Sequence, residues 1–347
     1  MNVPLWVWAL TLVGLVSLIA FDLFWVDRAR AKEPAGGPGE LAERGEPGGF
    51  GTRQAAFWSV FYIVLAALFG VAVLVFGGGH RAAQFYAGFV TEKSLSVDNL
   101  FVFYVIMARF AVPKASQHRV LMLGVVLALV LRGVFIAVGA AAITRFQWVF
   151  FIFGAFLVWT AIGLLRTSHE ESGFKENALL RWSRRVLPTT DDYHGARISI
   201  RRNGRRLFTP LFIVVIAIGS TDVLFALDSI PAIFGLTKEP YLVFTTNAFA
   251  LMGLVQLYFL LGDLVRRLAY LSHGLAAILG FIGVKLVIEA LHGYHVPWAP
   301  EIPIWLSLSV IGGTLTVTTL ASLRRLRTDS AKVTSGSRED TETVPAD

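Results

Sequence analysis

The sequence predicts an all-α protein: a polytopic membrane helix bundle of about nine transmembrane helices with an inverted repeat. Of the 347 residues, 55% are hydrophobic and 16% are charged, whereas a soluble globular domain has about 25% charged residues. The apolar residues also come in blocks as long as the roughly 20 residues that cross a hydrocarbon core of about 30 Å. Finally, two similar acidic motifs lie inside those blocks.

The apolar blocks divide the chain into spans and connecting segments. We expect an N-terminal transmembrane helix in 1–26, a flexible cytoplasmic loop in 27–54, four spans in 55–165, a basic cytoplasmic loop in 166–207, four spans in 208–323 and a disordered cytoplasmic tail in 324–347. The nine blocks themselves lie near 4–26, 55–77, 84–108, 118–143, 146–165, 208–234, 243–262, 268–290 and 303–323.

Composition supports each connecting segment. Ten Gly or Pro residues lie in 34–51, which predicts a linker without a core. The first block has no basic segment before it and no small-residue cleavage site after it, so we expect a retained span rather than a secretory signal. The chain has no cysteine, which excludes disulfides, thiolate metal ligands and thiol redox chemistry.

The basic residues predict how the chain crosses the membrane. If the amino terminus lies outside, only Arg81, Arg145 and Lys238 of the 31 Lys and Arg residues fall in outer segments, and nearly all others fall in inner loops. This bias follows the positive-inside rule. We therefore expect a multi-pass protein of the inner (plasma) membrane with a cytoplasmic carboxyl terminus. The net charge of +7 reflects this topology, and no nucleic-acid partner is expected.

The two acidic motifs share one pattern: an acid, five residues, an aspartate, then a small amide or hydroxyl. The residues are Glu92, Asp98 and Asn99 in the third span and Asp222, Asp228 and Ser229 in the sixth. A charge inside a span costs about 2.5–3.5 kcal/mol on insertion scales, so such residues rarely face lipid. Because the motifs lie in the third and sixth spans, an odd offset of three, they enter the membrane from opposite sides. That relation predicts an inverted repeat with a substrate site near the midplane.

Helix geometry limits what one motif can bind. At 1.5 Å and about 100° per residue, Glu92 and Asp98 lie about 9 Å apart along the axis and on different faces. Either both motifs meet and supply four carboxylates, or the helices are locally unwound, which Pro231 favours in the sixth span. Asp22, in the inner half of the first span, is a fifth intramembrane acid.

The ligand chemistry predicts the cargo. Carboxylate, amide and hydroxyl oxygens suit hard cations such as Mn²⁺, Mg²⁺ or Ca²⁺. Four unpaired carboxylates cannot all stay ionised in a dry site, which makes exchange of metal for protons a natural hypothesis. We predict no catalytic residue, no cofactor-binding residue and no prosthetic group. The predicted metal ligands are Asp22, Glu92, Asp98, Asn99, Asp222, Asp228 and Ser229.

Purely structural interpretations compete with metal binding at each position. Glu92 and Lys93 could form a pair at the outer end of a span, and Asp222 could form a buried salt bridge with Arg132. Asp22 could pair with Arg28 at the membrane interface. Lys285 and Glu289, four residues apart, could form a pair along one helix.

Two long stretches carry a family resemblance. Residues 92–103, EKSLSVDNLFVF, resemble the first signature of the TerC/Alx family, and residues 228–237, DSIPAIFGLT, resemble the second. Residues 244–261, FTTNAFALMGLVQLYFLL, are similar to the family's sequence just after this second signature. The resemblance matches all five acids named above with the family's intramembrane acids, and Asn99 and Ser229 with their polar neighbours. The chain departs from the family in 34–51, 166–207 and the tail.

The resemblance implies an inner-membrane protein of the LysE-like transporter superfamily with a role in metal homeostasis. It implies manganese export, the best-supported activity of the Alx-like branch, and a historical link to tellurite resistance. We therefore expect a transporter, not an enzyme, whose partners are the lipid bilayer and a divalent metal ion. The alternative is a non-transporting component of a metal or tellurite stress complex that docks a cytoplasmic partner through 166–207. An intramembrane aspartyl protease is weaker, because no Gly-x-Gly-Asp accompanies the acids.

Overall fold

A computed structural model describes residues 3–31, 52–166, 198–202, 205–261 and 271–339. Helices dominate these ranges. The elements in chain order are α1 (Leu5–Ala31), α2 (Thr52–Gly77), α3 (Gly79–Arg109), α4 (Lys114–Arg145), α5 (Val149–Arg166), β1 (Ser199–Arg202), β2 (Arg205–Phe208), α6 (Pro210–Phe234), α7 (Pro240–Leu251), α8 (Leu254–Leu261), α9 (Leu271–Gly293) and α10 (Ile304–Glu339).

The helices confirm an all-α polytopic membrane protein. Eight stretches of the described residues are long and apolar enough to cross a bilayer, one of which covers α7 and α8 together. Helix α3 is not among the eight because Glu92, Lys93 and Asp98 lie near its middle. Its 31 residues nevertheless extend about 45 Å at 1.5 Å per residue, enough to span. With α3 included, the described ranges hold the nine predicted spans, while the inverted repeat stays a prediction.

Burial separates the centre of the bundle from its periphery. In the stretch that covers α7 and α8, 89% of residues are buried inside the protein, against 11% in the apolar stretches of α1 and α10. The outer helices instead expose large apolar side chains such as Phe76 and Trp159. Contiguous apolar faces of this kind suit a lipid environment. Helices α7 and α8 therefore form the core against which the functional side chains pack.

Small residues let some helices touch along their backbones. A Cβ atom added to Gly154 of α5 would lie 2.7 Å from the carbonyl oxygen of Gly283 on α9, and a Cβ added to Gly283 would lie 2.8 Å from that of Gly154. Only glycine fits so close an approach, which is the usual basis of tight packing between membrane helices.

The seventh predicted span is interrupted, which the sequence analysis did not predict. Helix α7 ends at Leu251 because Met252 is extended and Gly253 has a φ of +75°, a left-handed conformation suited to glycine. A Cβ at Gly253 would also lie 3.0 Å from the ring of Tyr62. By contrast, α6 continues through Pro231 to Phe234. The unwinding considered for the second motif is therefore wrong, and the break lies between α7 and α8.

The basic loop predicted in 166–207 contains regular structure. Strands β1 and β2 pair antiparallel, with Arg201 opposite Arg206 and Arg202 opposite Arg205. This hairpin is an addition to the all-α prediction. Residues 167–197 and 203–204 of that loop lie outside the described residues.

Helix α10 continues to Glu339, into the segment that the sequence predicts as a disordered tail. Extending an existing helix adds one hydrogen bond per residue without a new nucleation cost, so polar residues can prolong an apolar span. Helix α1 likewise continues to Ala31, beyond its predicted end. Residues 32–51 and 340–347 lie outside the described ranges.

Candidate functional site

The candidate site is a buried cluster centred on Arg132 of α4. The guanidinium binds Asp222 of α6 through two parallel hydrogen bonds, from Nε to Oδ2 and from Nη2 to Oδ1, both at 3.1 Å. Its Nη1 donates to Oε1 of Glu92 on α3. Such charge-assisted bonds, bidentate towards Asp222, are among the strongest in proteins. The first acids of the two motifs therefore meet on one arginine.

Neutral acceptors complete the shell around Arg132. Nη1 also donates to Oγ of Ser229 at 3.2 Å and to Oδ1 of Asn247 at 3.4 Å. Ser229 lies on α6, seven residues after the first acid of its motif, and Asn247 lies on the central helix α7. Four helices, α3, α4, α6 and α7, thus converge on a single side chain. We call these five residues the Arg132 cluster.

The Arg132 cluster lies deep in the protein and near the middle of its helices. Arg132 and Glu92 are 0% exposed, and Asp222 is 1% exposed. Asp222 lies 12 residues from each end of α6, or about 18 Å at 1.5 Å per residue. The interpretation of Glu92 and Lys93 as a pair at a span end is wrong, because Glu92 lies 13 residues inside α3.

The cluster contains more negative than positive charge. Two carboxylates share one guanidinium, and Asp228 lies within electrostatic range of both Glu92 and Arg132. An uncompensated charge at this depth costs several kcal/mol. The arrangement therefore favours a further positive charge in the same place, which a proton or a metal cation could supply.

Several polar atoms around the cluster lack a hydrogen-bond partner within the described part of the chain. They are Oε2 of Glu92, Nδ2 of Asn247, Oγ1 of Thr91 and Oγ of Ser96, all buried. Leaving a buried polar group unsatisfied costs about 1–3 kcal/mol. Native proteins keep few such groups, and water or a ligand normally satisfies them. These atoms indicate that water or another small polar ligand can bind near Glu92.

The second acids of the motifs take different positions. Asp98 and Asp228 are half-buried rather than buried, as expected from their angular separation from Glu92 and Asp222. Asn99 is buried on α3, seven residues after Glu92, or about 10 Å along the axis. In the described ranges, no group of three or more His, Asp or Glu residues is arranged to hold a metal ion. The expected meeting of four carboxylates is therefore not found, because Arg132 takes the central position between Glu92 and Asp222.

Asp22 lies apart from the Arg132 cluster. It is 7% exposed on α1, where Nε2 of Gln256 on α8 donates to its Oδ2 at 2.7 Å. The hydroxyl of Tyr62 on α2 is also within hydrogen-bonding reach of this carboxylate. Of the predicted ligands, the structure thus joins Glu92, Asp222 and Ser229 and leaves Asp22 at a second polar site. The side chain of Arg28, its alternative partner, is outside the described residues.

Lys93 lies between these two sites. Its Nζ donates to the backbone carbonyl oxygens of Ala250 at 3.0 Å and Met252 at 3.1 Å, at the end of α7. Carbonyls at a helix terminus have no intrahelical donor, and inside a membrane they need another partner. Although Lys93 is adjacent to Glu92 in sequence, it stabilises the helix break instead of neutralising that carboxylate.

The proposed pairing of Lys285 with Glu289 is also replaced by other contacts. Nζ of Lys285 donates to Oγ of Ser307 at 3.2 Å, and Glu289 forms an ion pair with Lys238 at 2.6 Å. All but Ser307 line a cavity of about 880 Å³ near the carboxyl end of α6. The cavity also includes Gln84, eight residues before Glu92 on α3, or about 12 Å along the axis.

Sequence reasoning missed Asn247, Gln256 and Tyr62 as site residues. A signal was present, since Asn247 and Gln256 are the two amides in a mostly apolar block. Polar side chains in a span usually hydrogen-bond to other helices. Their partners, however, lie more than 100 residues away in sequence, at Arg132 and Asp22.

Comparison with known proteins gives a consistent result. Residues 77–330 match the model of the integral membrane protein TerC family. An uncharacterized membrane protein of Mycobacterium tuberculosis, Rv2723, is 48% identical over 282 residues, covering 78% of this chain and 71% of the relative. An uncharacterized membrane protein of Myxococcus xanthus is 42% identical over 275 residues, covering 79% of this chain and 84% of the relative. Alx of Escherichia coli K12, named as a proposed membrane-bound redox modulator, is 42% identical over 274 residues, covering 77% and 83%. No solved structure matches significantly.

Proposed function

We propose a transport function for this chain, which belongs to the TerC family of integral membrane proteins. The proposed activity is secondary export of a hard divalent cation, with Mn²⁺ as the first candidate. One observation carries the proposal: two helices bring the buried carboxylates of Glu92 and Asp222 to one arginine near the middle of the bundle. Intramembrane acids that face the protein interior commonly mark ion pathways, and their oxygens suit hard cations.

In the proposed mechanism, Arg132 and the cargo compete for the same oxygens. Arg132 supplies the positive charge that Glu92 and Asp222 require whenever no metal is bound. At equal distance a divalent cation attracts these carboxylates twice as strongly as a guanidinium does. Once displaced, Arg132 keeps neutral acceptors within reach, because Ser229 and Asn247 already accept from it.

Charge balance makes protons the natural counter-ions. When the metal leaves, the excess negative charge of the Arg132 cluster must be compensated, and proton uptake by a carboxyl group does this without a large structural change. The half-buried Asp98 and Asp228 are our candidates for this exchange. A flux of metal that ignores an imposed pH gradient would remove the proton step and leave the metal site in place.

The distribution of Lys and Arg supports one orientation for this exporter. We propose that the chain lies in the inner (plasma) membrane with its amino terminus outside and its carboxyl terminus in the cytoplasm. In that orientation the 880 Å³ cavity near the end of α6 opens on the outer side. We propose neither a prosthetic group nor an enzymatic reaction.

Manganese protection in a sensitive bacterial host tests the proposal. Asp222→Asn removes one charge from the Arg132 cluster and preserves the side-chain shape, so we expect protection to be lost at an unchanged amount of protein in the membrane. Glu301→Gln is the matched control, since this carboxylate is 83% exposed, and protection should persist. If Asp222→Asn protects cells as well as the unaltered chain does, the proposed cargo site is wrong.

A second candidate function, docking of an acidic partner, has its own supporting observation. In the β1–β2 hairpin, Arg201 is opposite Arg206 and Arg202 is opposite Arg205. Like charges directly opposite on paired strands are destabilising, which favours an anionic partner. Replacing the four arginines by glutamine should abolish stress resistance in this case and leave manganese flux unchanged. Retained resistance would argue against the docking function.

The name of the relative from Escherichia coli suggests a redox role for that protein. In this chain, a role through thiol–disulfide exchange is excluded because it contains no cysteine.

A further inference from the structure

The break between α7 and α8 encloses a second small polar site, which we call the break pocket. It is a cavity of about 20 Å³ whose polar lining residues are Asp22, Tyr62 and Gln256. Part of the pocket wall is formed by the residues of the helix break, Leu251, Met252 and Gly253. Five segments, α1, α2, α4, α8 and the break itself, therefore meet there.

Gln256 gives the break pocket an unused ligand. Its side chain is 0% exposed, and its Nε2 is engaged with Asp22. Its Oε1, in contrast, is buried and has no hydrogen-bond partner in the part of the chain that the structure describes. A buried amide oxygen without a donor is unfavourable. A cation beside it would accept its lone pairs and those of the second carboxylate oxygen of Asp22.

We propose that the break pocket binds a single Na⁺ ion through Asp22, Gln256 and Tyr62. These groups offer carboxylate, amide and hydroxyl oxygens, which are hard ligands. The ends of interrupted membrane helices are common binding places for small coupling cations. The site is distinct from the Arg132 cluster, because its three ligands lie on α1, α2 and α8 and none lies on a helix that contributes to that cluster.

Charge favours a monovalent occupant. Among the side chains that the structure describes, no lysine or arginine lies within ion-pair distance of Asp22. The carboxylate of Asp22 supplies one negative charge to the pocket, and Na⁺ cancels it. A divalent ion would leave a net positive charge at a buried position, which is costly. Lys93 does not fill this role, because its ammonium group binds the carbonyls of Ala250 and Met252.

Size favours a small occupant. A cavity needs about 10–15 Å³ to hold one water molecule, so the break pocket accommodates one water-sized particle. Na⁺ and Li⁺ fit this space. K⁺ is about as large as a water molecule, so volume alone does not exclude it, and its rejection depends on how closely the ligand oxygens hold the ion. The ring of Tyr62 packs near Gly253, where an added Cβ would lie 3.0 Å from it, and this close packing favours the smaller ions. We therefore expect selectivity for Na⁺ and Li⁺ over K⁺.

The break pocket is connected to the Arg132 cluster through one residue. Met252 lines the pocket, and its carbonyl oxygen accepts from Lys93, the neighbour of Glu92. An ion that changes the conformation of the break would therefore reposition Lys93 and α3. A role of Na⁺ as coupling ion rests on the proposed transport function, whereas its binding does not.

Equilibrium binding of ²²Na⁺ to the purified full-length protein tests the inference. We expect saturable binding of one ion per chain that Li⁺ displaces and K⁺ does not. Asp22→Asn should abolish it. Gln256→Leu should weaken it about tenfold or more, the effect of losing one bond to a charged group. Gln117→Leu is the matched control because this half-buried glutamine binds the carbonyl of Val112, and its affinity for Na⁺ should be unchanged.

Several outcomes would overturn the Na⁺ site. Absence of saturable binding would mean that the pocket holds only water. Retained binding in Asp22→Asn would show that the ion binds at another site. Competitive displacement of ²²Na⁺ by Mn²⁺ would assign the pocket to the cargo. If Asp22→Asn misfolds, Gln256→Leu carries the test, with a single symmetric peak in size exclusion as its folding criterion. Failure of the transport proposal is distinguishable, because Na⁺ would then bind to a protein that moves no Mn²⁺.

Discussion

Replacing Arg132 by methionine distinguishes two roles for this residue: a structural counter-ion, or a group that competes with the transported cation for the same carboxylates. Methionine keeps an unbranched side chain and removes the charge. Arg132 makes two bonds to Asp222 and one to Glu92, all buried. Removing one partner of a buried ion pair costs about 3–5 kcal/mol, because the remaining charges lose their compensation. We therefore expect Arg132→Met to be strongly destabilised in metal-free buffer.

The same variant should be stabilised by manganese. With Arg132 absent, Glu92 and Asp222 are free to bind Mn²⁺ directly, and a ligand at 100 times its dissociation constant stabilises the folded state by about 2.7 kcal/mol. A large part of the lost stability should thus return on adding Mn²⁺. The double variant Arg132→Met/Asp222→Asn removes one of the two uncompensated charges. It should be more stable than the single variant without metal and should respond less to Mn²⁺.

Thermal unfolding of detergent-purified protein, followed by fluorescence of its nine tryptophans, measures these effects. Arg145→Met is the control, since Arg145 is exposed in the last turn of the same helix, and its unfolding temperature should be unchanged. A destabilised Arg132→Met that gains nothing from Mn²⁺ would show that Arg132 only holds the helices together. A fully stable Arg132→Met would contradict the charge balance itself.

Three further predictions concern the helix packing and can be checked by the same unfolding assay. Gly253→Ala should cost about 1 kcal/mol or more, because alanine is unfavourable at φ of +75° and its Cβ would approach the ring of Tyr62; an unchanged transition would contradict the break geometry. Lys93→Met should cost about 1.5–3 kcal/mol by removing charged bonds to two carbonyls at the end of α7, and Lys93→Arg should recover part of it; equal stability of all three proteins would argue against this role. Gly154→Val should separate α5 from α9, because its Cβ would lie 2.7 Å from the carbonyl of Gly283; a folded protein of native stability would show that these helices do not touch.

The spans were predictable because their signal is local. The free energy of moving a segment from water to lipid depends on the composition of that segment alone. The block at 208–234 accordingly corresponds closely to α6, Pro210–Phe234. The face that each motif buries also follows from helical periodicity, which puts Glu92, Ser96 and Asn99 on one side of α3. Such properties depend on a residue and its near neighbours alone.

Long-range pairing was not predictable in this way. A bridge between Asp222 and Arg132 is one interpretation of the sequence, yet the sharing of Arg132 with Glu92 depends on how α3, α4 and α6 cross. Nor did the sequence predict that Lys93 would serve the end of α7, 157 residues away. The break at Gly253 was missed because the surrounding apolar residues favour an uninterrupted span. The break depends on the left-handed backbone conformation of Gly253 and on its close packing with Tyr62, which lies far away in sequence.

Uptake of Mn²⁺ into proteoliposomes tests the central claim most directly. The purified chain should move Mn²⁺ down an imposed gradient, and Asp222→Asn should reduce the flux to that of empty vesicles, while Glu301→Gln leaves it intact. Equal flux from the unaltered chain and Asp222→Asn would contradict the claim that the buried carboxylates around Arg132 bind the transported ion.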